Sequence, residues 1–434
     1  MRRPLPAVPD ATRLACAWRE RELGWLDGDG RDGEGRWSFV GRDPVERVSA
    51  RFGEGPALAR LAALGGGEDA VDPLEAQAPR WMGFVAYDAA WADPHALGLR
   101  RGPRLARDAA AETLAFRRYD AVVAIDHVER RAWLVGDDTR ALDALERDVA
   151  RATDASPPSA RAGSVRCEDA DAHLSAIRAA LEAIGRGDAY QVNLARAWEA
   201  SLEGEPLALA LAMRDASPVP LGVVLLDEGR AVIARTMERY LRWDARTREL
   251  STRPIKGTIG RSGDDHADAA ALRQDAKERA EHTMIVDLMR NDLGRVAETG
   301  SVRVSDMLRV EPYAKLHHLV STVSCTTRAG LGARELVEAT FPPGSVTGTP
   351  KLAAIELIEA LERVPRGIYT GAIGHVDRAG GLALAVAIRT AVVEDGRARY
   401  FAGGGIVEAS DPERELAETE LKSRAFVDAL GTLL

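Results

Sequence analysis

Hydrophobic positions along this chain fall into two kinds of run. Short apolar stretches bounded by turn residues predict strands over 37–40, 80–87, 121–125, 191–196, 222–226 and 231–234, with further β runs over 382–393. Stripes at helical spacing predict helices over 142–150, 170–186 and 265–293, and a last helix from Pro412. In the second of these, Leu174, Ile177, Leu181 and Ile184 recur every three or four positions. The run Gly28-Asp29-Gly30-Arg31-Asp32-Gly33-Glu34-Gly35 reads as an exposed loop ahead of the first of these strands. Residues 152–164, with Ser156-Pro157-Pro158-Ser159, form the best linker candidate. Strands and helices are grouped, not regularly alternating, which predicts an α+β architecture over a doubly wound parallel sheet.

Bulk composition narrows the function classes. The 434 residues suffice for one large domain or two ordinary ones. Lys and Arg total 58 against 67 Asp and Glu, a formal net charge of −9, and no basic block stands out. That argues against a nucleic-acid or membrane-surface partner. Cys16, Cys167 and Cys325 are far apart, without CxxC spacing, and fit reduced thiols better than a disulfide framework or zinc site. Arg2 and Arg3 have no apolar run behind them, so no secretory signal is expected, and no stretch approaches 18 uninterrupted apolar residues. The expectation is a soluble cytoplasmic protein.

Chemistry concentrates in the second half. Lys256 sits in Arg253-Pro254-Ile255-Lys256-Gly257-Thr258. A lysine between an apolar residue and a Gly-Thr turn can be desolvated enough to become a neutral, nucleophilic amine, although an exposed lysine at a strand end is the commoner case. Glu278 and Glu281 share one helix face ahead of His282, and Glu415 and Glu418 repeat the spacing on the last helix, with Glu420 and Lys422 beyond. Two carboxylates from each of two helices suit Mg²⁺; solvated acidic faces have the same appearance. Two glycine-containing segments offer backbone amides to an anion: Phe401-Ala402-Gly403-Gly404-Gly405-Ile406-Val407, and Gly344 to Lys351, which opens a helix at Pro350. Neither matches a Walker loop or a dinucleotide fingerprint, and a plain tight turn is the alternative for each. Ser410 to Glu413 has the spacing of a capping box. Arg389 lies on an otherwise apolar stretch, where an anionic ligand or acidic partner would offset its burial. Glu238, in Arg235-Thr236-Met237-Glu238-Arg239-Tyr240, is the candidate general acid.

Together these segments resemble the chorismate-utilising enzymes. The similarity runs through 190–196, 254–258, Glu281-His282 to Asn291-Asp292, and His318-Leu319-Val320-Ser321. It continues through the Gly344 to Lys351 loop, 369–374, 387–390, 403–407 and 415–422. It implies two antiparallel β-sheets packed as a sandwich with helices outside. It also implies a variable N-terminal region over 1–151 and a chorismate-binding catalytic region over 165–434, the two packed as one intimate unit.

Within the family, lysine at the centre of the Pro-Ile-x-Gly-Thr motif marks the aminodeoxychorismate-forming component I branch, where the anthranilate branch carries alanine. The resemblance implies that Lys256 adds to the chorismate ring while Glu238 protonates the departing C4 hydroxyl, after which ammonia displaces the lysine. Burial would have to lower the lysine's pKa and raise the glutamate's. Mg²⁺ would be held by Glu281 and Glu418, with Glu278 and Glu415 in support. Tyr369, Arg389, Gly403 and Gly405 would grip the substrate carboxylates, with His318, Thr347 and Lys422 as further substrate-binding candidates. Gln191 stands where isochorismate-forming relatives carry a lysine base, which disfavours water addition. Departures from the family pattern are Thr236-Met237 in place of Ser-Pro, and Gly28 where tryptophan-binding relatives often carry serine. None of the three cysteines sits in a glutaminase nucleophile elbow, and no appended lyase region is recognised. A separate glutamine amidotransferase subunit would therefore supply ammonia, for folate synthesis or an aminobenzoate-derived metabolite.

Overall fold

A computed structural model describes the chain except residues 66–71, 153–154, 314–315 and 434. Among the described residues, thirteen strands form one antiparallel sheet and ten form a second. Apolar residues alternating along the strands pack the sheets face to face. Leu26, Phe39, Val223 and Val232 of the larger sheet meet Met82, Phe84 and Ile373 of the smaller one. Each large side chain removed from water there contributes about 1.5–3 kcal/mol.

Helices cover the outer faces. Leu142, Leu207, Met213 and Phe426 bring helices Thr139–Arg151, Pro206–Ala216 and Pro412–Gly431 onto the larger sheet. Ile285, Met289, Leu336 and Val337 bring Ala276–Gly294 and Ala333–Thr340 onto the smaller one. The expected α+β sandwich of two antiparallel sheets with outer helices is what the chain forms. Both sheets mix early and late strands: Leu23–Asp27 pairs with Leu221–Asp227, and Pro79–Val85 with Ala372–Asp377. No described helix is long and apolar enough to cross a membrane.

Four local expectations change. The helix predicted over 265–293 is two helices, Asp265–Gln274 and Ala276–Gly294, because the Asp275 side chain accepts from Glu278 N–H at 3.0 Å and starts a second helix. The β run over 382–393 divides into Leu382–Val386 in the smaller sheet and Thr390–Glu394 in the larger. Part of the expected linker is sheet: Ala160–Ala162 pairs with Leu202, Glu203 and Gly204, setting Arg161 opposite Glu203, whereas 153–154 lie outside the described residues. The last helix is capped by Asp411, not Ser410, since Pro412 occupies its first position. The Ser410 hydroxyl instead donates to Glu415 at 2.6 Å.

Candidate active site

Chain crossings between the sheets carry two of the functional side chains. Strand Arg230–Thr236 ends in the larger sheet and Arg239–Asp244 begins in the smaller, leaving Glu238 at the corner. The Thr236 hydroxyl accepts from Glu238 N–H at 3.3 Å, a short-range turn that fixes this corner without a proline. Glu238 is 5 % exposed. Burial pushes its carboxyl up to about 7, against the opposing effects of the Ser345 hydroxyl, the Lys256 charge and the Ile255 N–H. Arg389 occupies the second crossing, outside any strand, with φ of +52°. Its guanidinium is half-buried and donates to Lys422 O at 3.0 Å.

Lys256 belongs to strand Ile255–Gly260. Its pairing with strand Leu316–Thr326 slips by one residue between Lys256↔Leu319 and Thr258↔His318. Gly257 supplies the extra residue at φ +85°, where a Cβ would also lie 2.8 Å from Leu319 Cδ1. The amine points at the glycine strand: a Cβ on Gly405 would lie 3.3 Å from Lys256 Nζ and 2.5 Å from Gln191 Nε2. Glycine at 405 therefore keeps the space between the amine and the sheet open. The Lys256 charge acts on Glu238, Glu278, Glu418 and Lys422, which puts the acid, the acidic helices and the amine around one volume.

The acidic helices approach two different strands, the last helix the glycine strand and the helix of Glu278 the Lys256 bulge. Glu415 Oε2 lies 2.8 Å and Glu418 Oε1 3.8 Å from the Cβ position of Gly404, while Glu278 Oε2 lies 3.2 Å from that of Gly257. Burial raises the Glu278 carboxyl, with Glu281 and Asp275 adding repulsion. Burial likewise raises Glu415, where Glu418 adds to the effect and Ser410 opposes it. Glu418 is also pushed up by burial, but the Lys422 ammonium outweighs this and holds it below the usual range. Lys422 Nζ sits 2.5 Å from Glu418 Oε1 and donates to Gly403 O at 2.9 Å. Glu281 is 3.8 Å from Lys277. These are all oxygen donors, and Glu278 and Glu415 are penalised for carrying charge, which is the donor chemistry that suits a hard divalent cation such as Mg²⁺. No three of the four draw their donor atoms within 4.8 Å of one another among the described residues; the group that does is Asp265, Asp268 and His317, engaged by Arg261 and Ser262.

The remaining candidates differ in availability. His318 Nδ1 contacts Thr258 Oγ1 at 2.9 Å, its Nε2 is buried without a partner among the described residues, and burial, opposed by a hydrogen bond to the Gly257 backbone, lowers the ring to about 4. It is a neutral imidazole with one nitrogen free for a ligand. Tyr369 stacks on Phe401 at 5.4 Å and feels the Arg389 charge. The two rings also wall a cavity of about 650 Å³, but its lining includes none of Lys256, Glu238, Arg389 or His318, so it lies apart from the reacting groups. Thr347 is fully buried and its hydroxyl donates to Pro343 O and Gly344 O, both at 3.2 Å. Lys351 is likewise engaged by Asp292 at 2.7 Å, so the loop's cation is held in an internal ion pair that braces the fold.

Sequence reasoning passed over Ser345, the hydroxyl on Glu238, and the buried Glu362–Arg366 pair (2.7 Å) whose guanidinium lies over Tyr369. Ser345 lay within the glycine loop already marked, and an alcohol beside an isolated acid is the signal that could have found it. Arg366 carried no comparable local signal.

Comparison with known proteins identifies the family and the fold. The family profile of chorismate binding enzymes matches residues 25–428. The aminodeoxychorismate synthase of Streptomyces griseus is 40% identical over 310 residues, 70% of this chain and 42% of that protein. Aminodeoxychorismate synthase component 1 of Escherichia coli K12 is 42% identical over 55% of this chain and 53% of its own length. The chain thus spans about half the length of these curated relatives. Anthranilate synthase component 1 of Streptomyces coelicolor is 36% identical over 92% of this chain and 81% of its own. Among solved structures, anthranilate synthase component I from Streptococcus pneumoniae superposes with a TM-score of 0.79 at 26% identity, covering 92% of this chain and 93% of that one. The menaquinone-specific isochorismate synthase of Escherichia coli shares the fold at TM-score 0.76 and 18% identity, covering 100% and 94%. The match across nearly the whole sandwich places this chain in the chorismate binding enzyme family.

Proposed function

We propose that this protein converts chorismate and ammonia to 4-amino-4-deoxychorismate. The observation that carries the reading is a lysine amine facing the glycine strand, within electrostatic reach of a buried carboxyl that holds its proton to about 7. The Lys256 amine attacks the ring and forms an N–C bond, while Glu238 gives its proton to the C4 hydroxyl, which leaves as water. Ammonia then bonds to C4 and the lysine leaves, its electron pair returning to nitrogen. Two displacements through a covalent adduct replace one hard substitution. Arg389 and the amides of the glycine strand bind the substrate carboxylates, with Tyr369 and His318 at the edge of the ring. Glu281 and Glu418, supported by Glu278 and Glu415, would hold Mg²⁺. When bound, that ion supplies charge neutralisation for a substrate carboxylate. Lys422 and Gly403 keep Glu418 oriented.

Ammonia is expected from a separate glutamine amidotransferase, as the component 1 designation of the relatives implies for them. Coverage by anthranilate synthases favours a second reading, amination with pyruvate elimination; lysine in place of the alanine of that branch weighs against it. Purified protein with chorismate, Mg²⁺ and ammonium separates the two. Aminodeoxychorismate without pyruvate supports the proposal, and anthranilate with pyruvate overturns it.

A further inference from the structure

Lys256 reaches the site from a bulge, and the group that grips this bulge takes no part in the chemistry above. At the slipped register the Lys256 carbonyl lies 3.2 Å from His282 Nδ1, on a ring that is 0 % exposed. A carbonyl can only accept, so Nδ1 carries the proton. The neutral ring must then accept at Nε2, where the Ser321 hydroxyl stands 2.7 Å away. Ser321 Oγ in turn accepts from Leu308 N–H at 3.1 Å. The Ser321 hydroxyl also lies 3.6 Å from Met307 Sδ, but its contact with Nε2 is much the shorter, and through that contact the series runs from Leu308 to Lys256.

The far end of the series is itself strained. Asp306 and Leu308 have φ of +52° and +59°, in a second slip between Ser305↔Thr322 and Arg309↔Val320. Residues with side chains adopt this region only when the surroundings enforce it. Here the distortion turns the Leu308 N–H onto Ser321. Two bulges, on two strands that both pair with Leu316–Thr326, are thus joined through one buried imidazole, and one of them carries the amine.

We propose that His282 is a positioning residue for Lys256: its Nδ1–H, oriented by Ser321 and the Leu308 bulge, holds the Lys256 carbonyl so that Nζ stands beside Gly405. This rests on the reading of Lys256 as the nucleophile. Three variants test it: H282F removes the donor at similar volume, H282N retains an N–H near the Nδ1 position, and S321A removes only the orienting hydroxyl.

Because small misplacements of a reacting group are costly, H282F is expected to lower kcat for ammonium-dependent amination about 10- to 100-fold, with the chorismate KM changed less than about threefold. S321A, the variant least liable to disturb folding, should lose roughly tenfold, and H282N should recover activity to within about threefold of wild type. A chorismate-independent readout is reductive methylation by formaldehyde and borohydride, mapped by peptide mass. Lys256 should label about threefold faster in H282F and S321A, with Lys277 unchanged as the internal reference. Unaltered Lys256 labelling in folded S321A, or equal losses in H282N and H282F, would overturn the proposal. Altered labelling in a protein whose wild type does not aminate chorismate would leave the positioning intact and sink the functional reading instead.

Discussion

The two ends of the site are built on opposite principles. At one end, Glu238 and Lys256 are placed by the backbone: a sheet-to-sheet corner tied by Thr236, and a bulge set by Gly257. At the other end, Glu278, Glu281, Glu415 and Glu418 extend on long side chains from two helices, and burial with like charge pushes two of them toward protonation. The first end places an acid and an amine through the backbone itself. The second holds two carboxylates penalised for charge, Glu278 and Glu415, beside Glu418, which Lys422 keeps charged. Covalent chemistry tolerates little error in position, whereas carboxylates around a hydrated hard ion can adjust.

The contrast can be broken most severely at the preorganised end. Lys256→Ala should reduce ammonium-dependent amination by about 10⁴-fold or more, measured by product mass, since no other group can form the adduct. Glu238→Gln should cost about 10²–10⁴-fold, the usual contribution of a positioned acid, while leaving chorismate binding measurable by calorimetry. A loss in Glu238→Gln that appears only in KM would move the acid's role elsewhere.

The acidic end should respond more gently. Glu418→Gln is expected to raise the Mg²⁺ concentration for half-maximal rate by about 10- to 100-fold, with kcat largely recovered at saturating ion. Mg²⁺ at about 100 times its dissociation constant should stabilise the wild type by about 2.7 kcal/mol in denaturant titrations, and the Glu278→Gln/Glu415→Gln double variant by much less. Equal stabilisation of both would remove these glutamates from the ion site.

Protonation supplies a separate test. The Glu238 carboxyl is raised from 4.5 to about 7, so it binds its proton more tightly folded than unfolded. Its contribution to stability is fully present below pH 4.5 and is lost as pH rises through about 7. Glu238→Gln, which cannot ionise, should therefore be more stable than wild type at pH 8 by about 3 kcal/mol, with the advantage gone near pH 4.5. The smallest effect belongs to Ser345→Ala. Ser345 favours the charged carboxylate, so its removal should move the alkaline limb of the rate profile upward by up to about one pH unit.

Much of the reacting end was legible in the sequence, because Lys256, Glu238 and the glycine strand lie in short, distinctive segments. What escaped depends on tertiary partners. The apolar stripe over 265–293 continues through Asp275, and only the side chain turning back onto Glu278 N–H divides the helix there. The run over 382–393 looks like uninterrupted β sequence, yet Arg389 in a left-handed conformation passes the chain from one sheet to the other. Ser156-Pro157-Pro158-Ser159 suggested a linker, but the exposed edge of strand Gln191–Gly204 recruits Ala160–Ala162 as a strand. Thr347 stood in a loop suited to anions; its hydroxyl faces the loop's own carbonyls. In each case the deciding contact lies far away in sequence or depends on which way one side chain turns.

The central claim is that Lys256 forms the bond to chorismate. Its most direct test is intact-protein and peptide mass spectrometry after incubation with chorismate and Mg²⁺, with ammonium withheld and the reaction quenched by acid. The account predicts an adduct with the mass of chorismate less water on the peptide carrying Lys256, absent in Lys256→Ala and discharged by ammonium. An adduct that persists in Lys256→Ala would contradict it, as would amination at C4 by the Lys256→Ala variant at the wild-type rate.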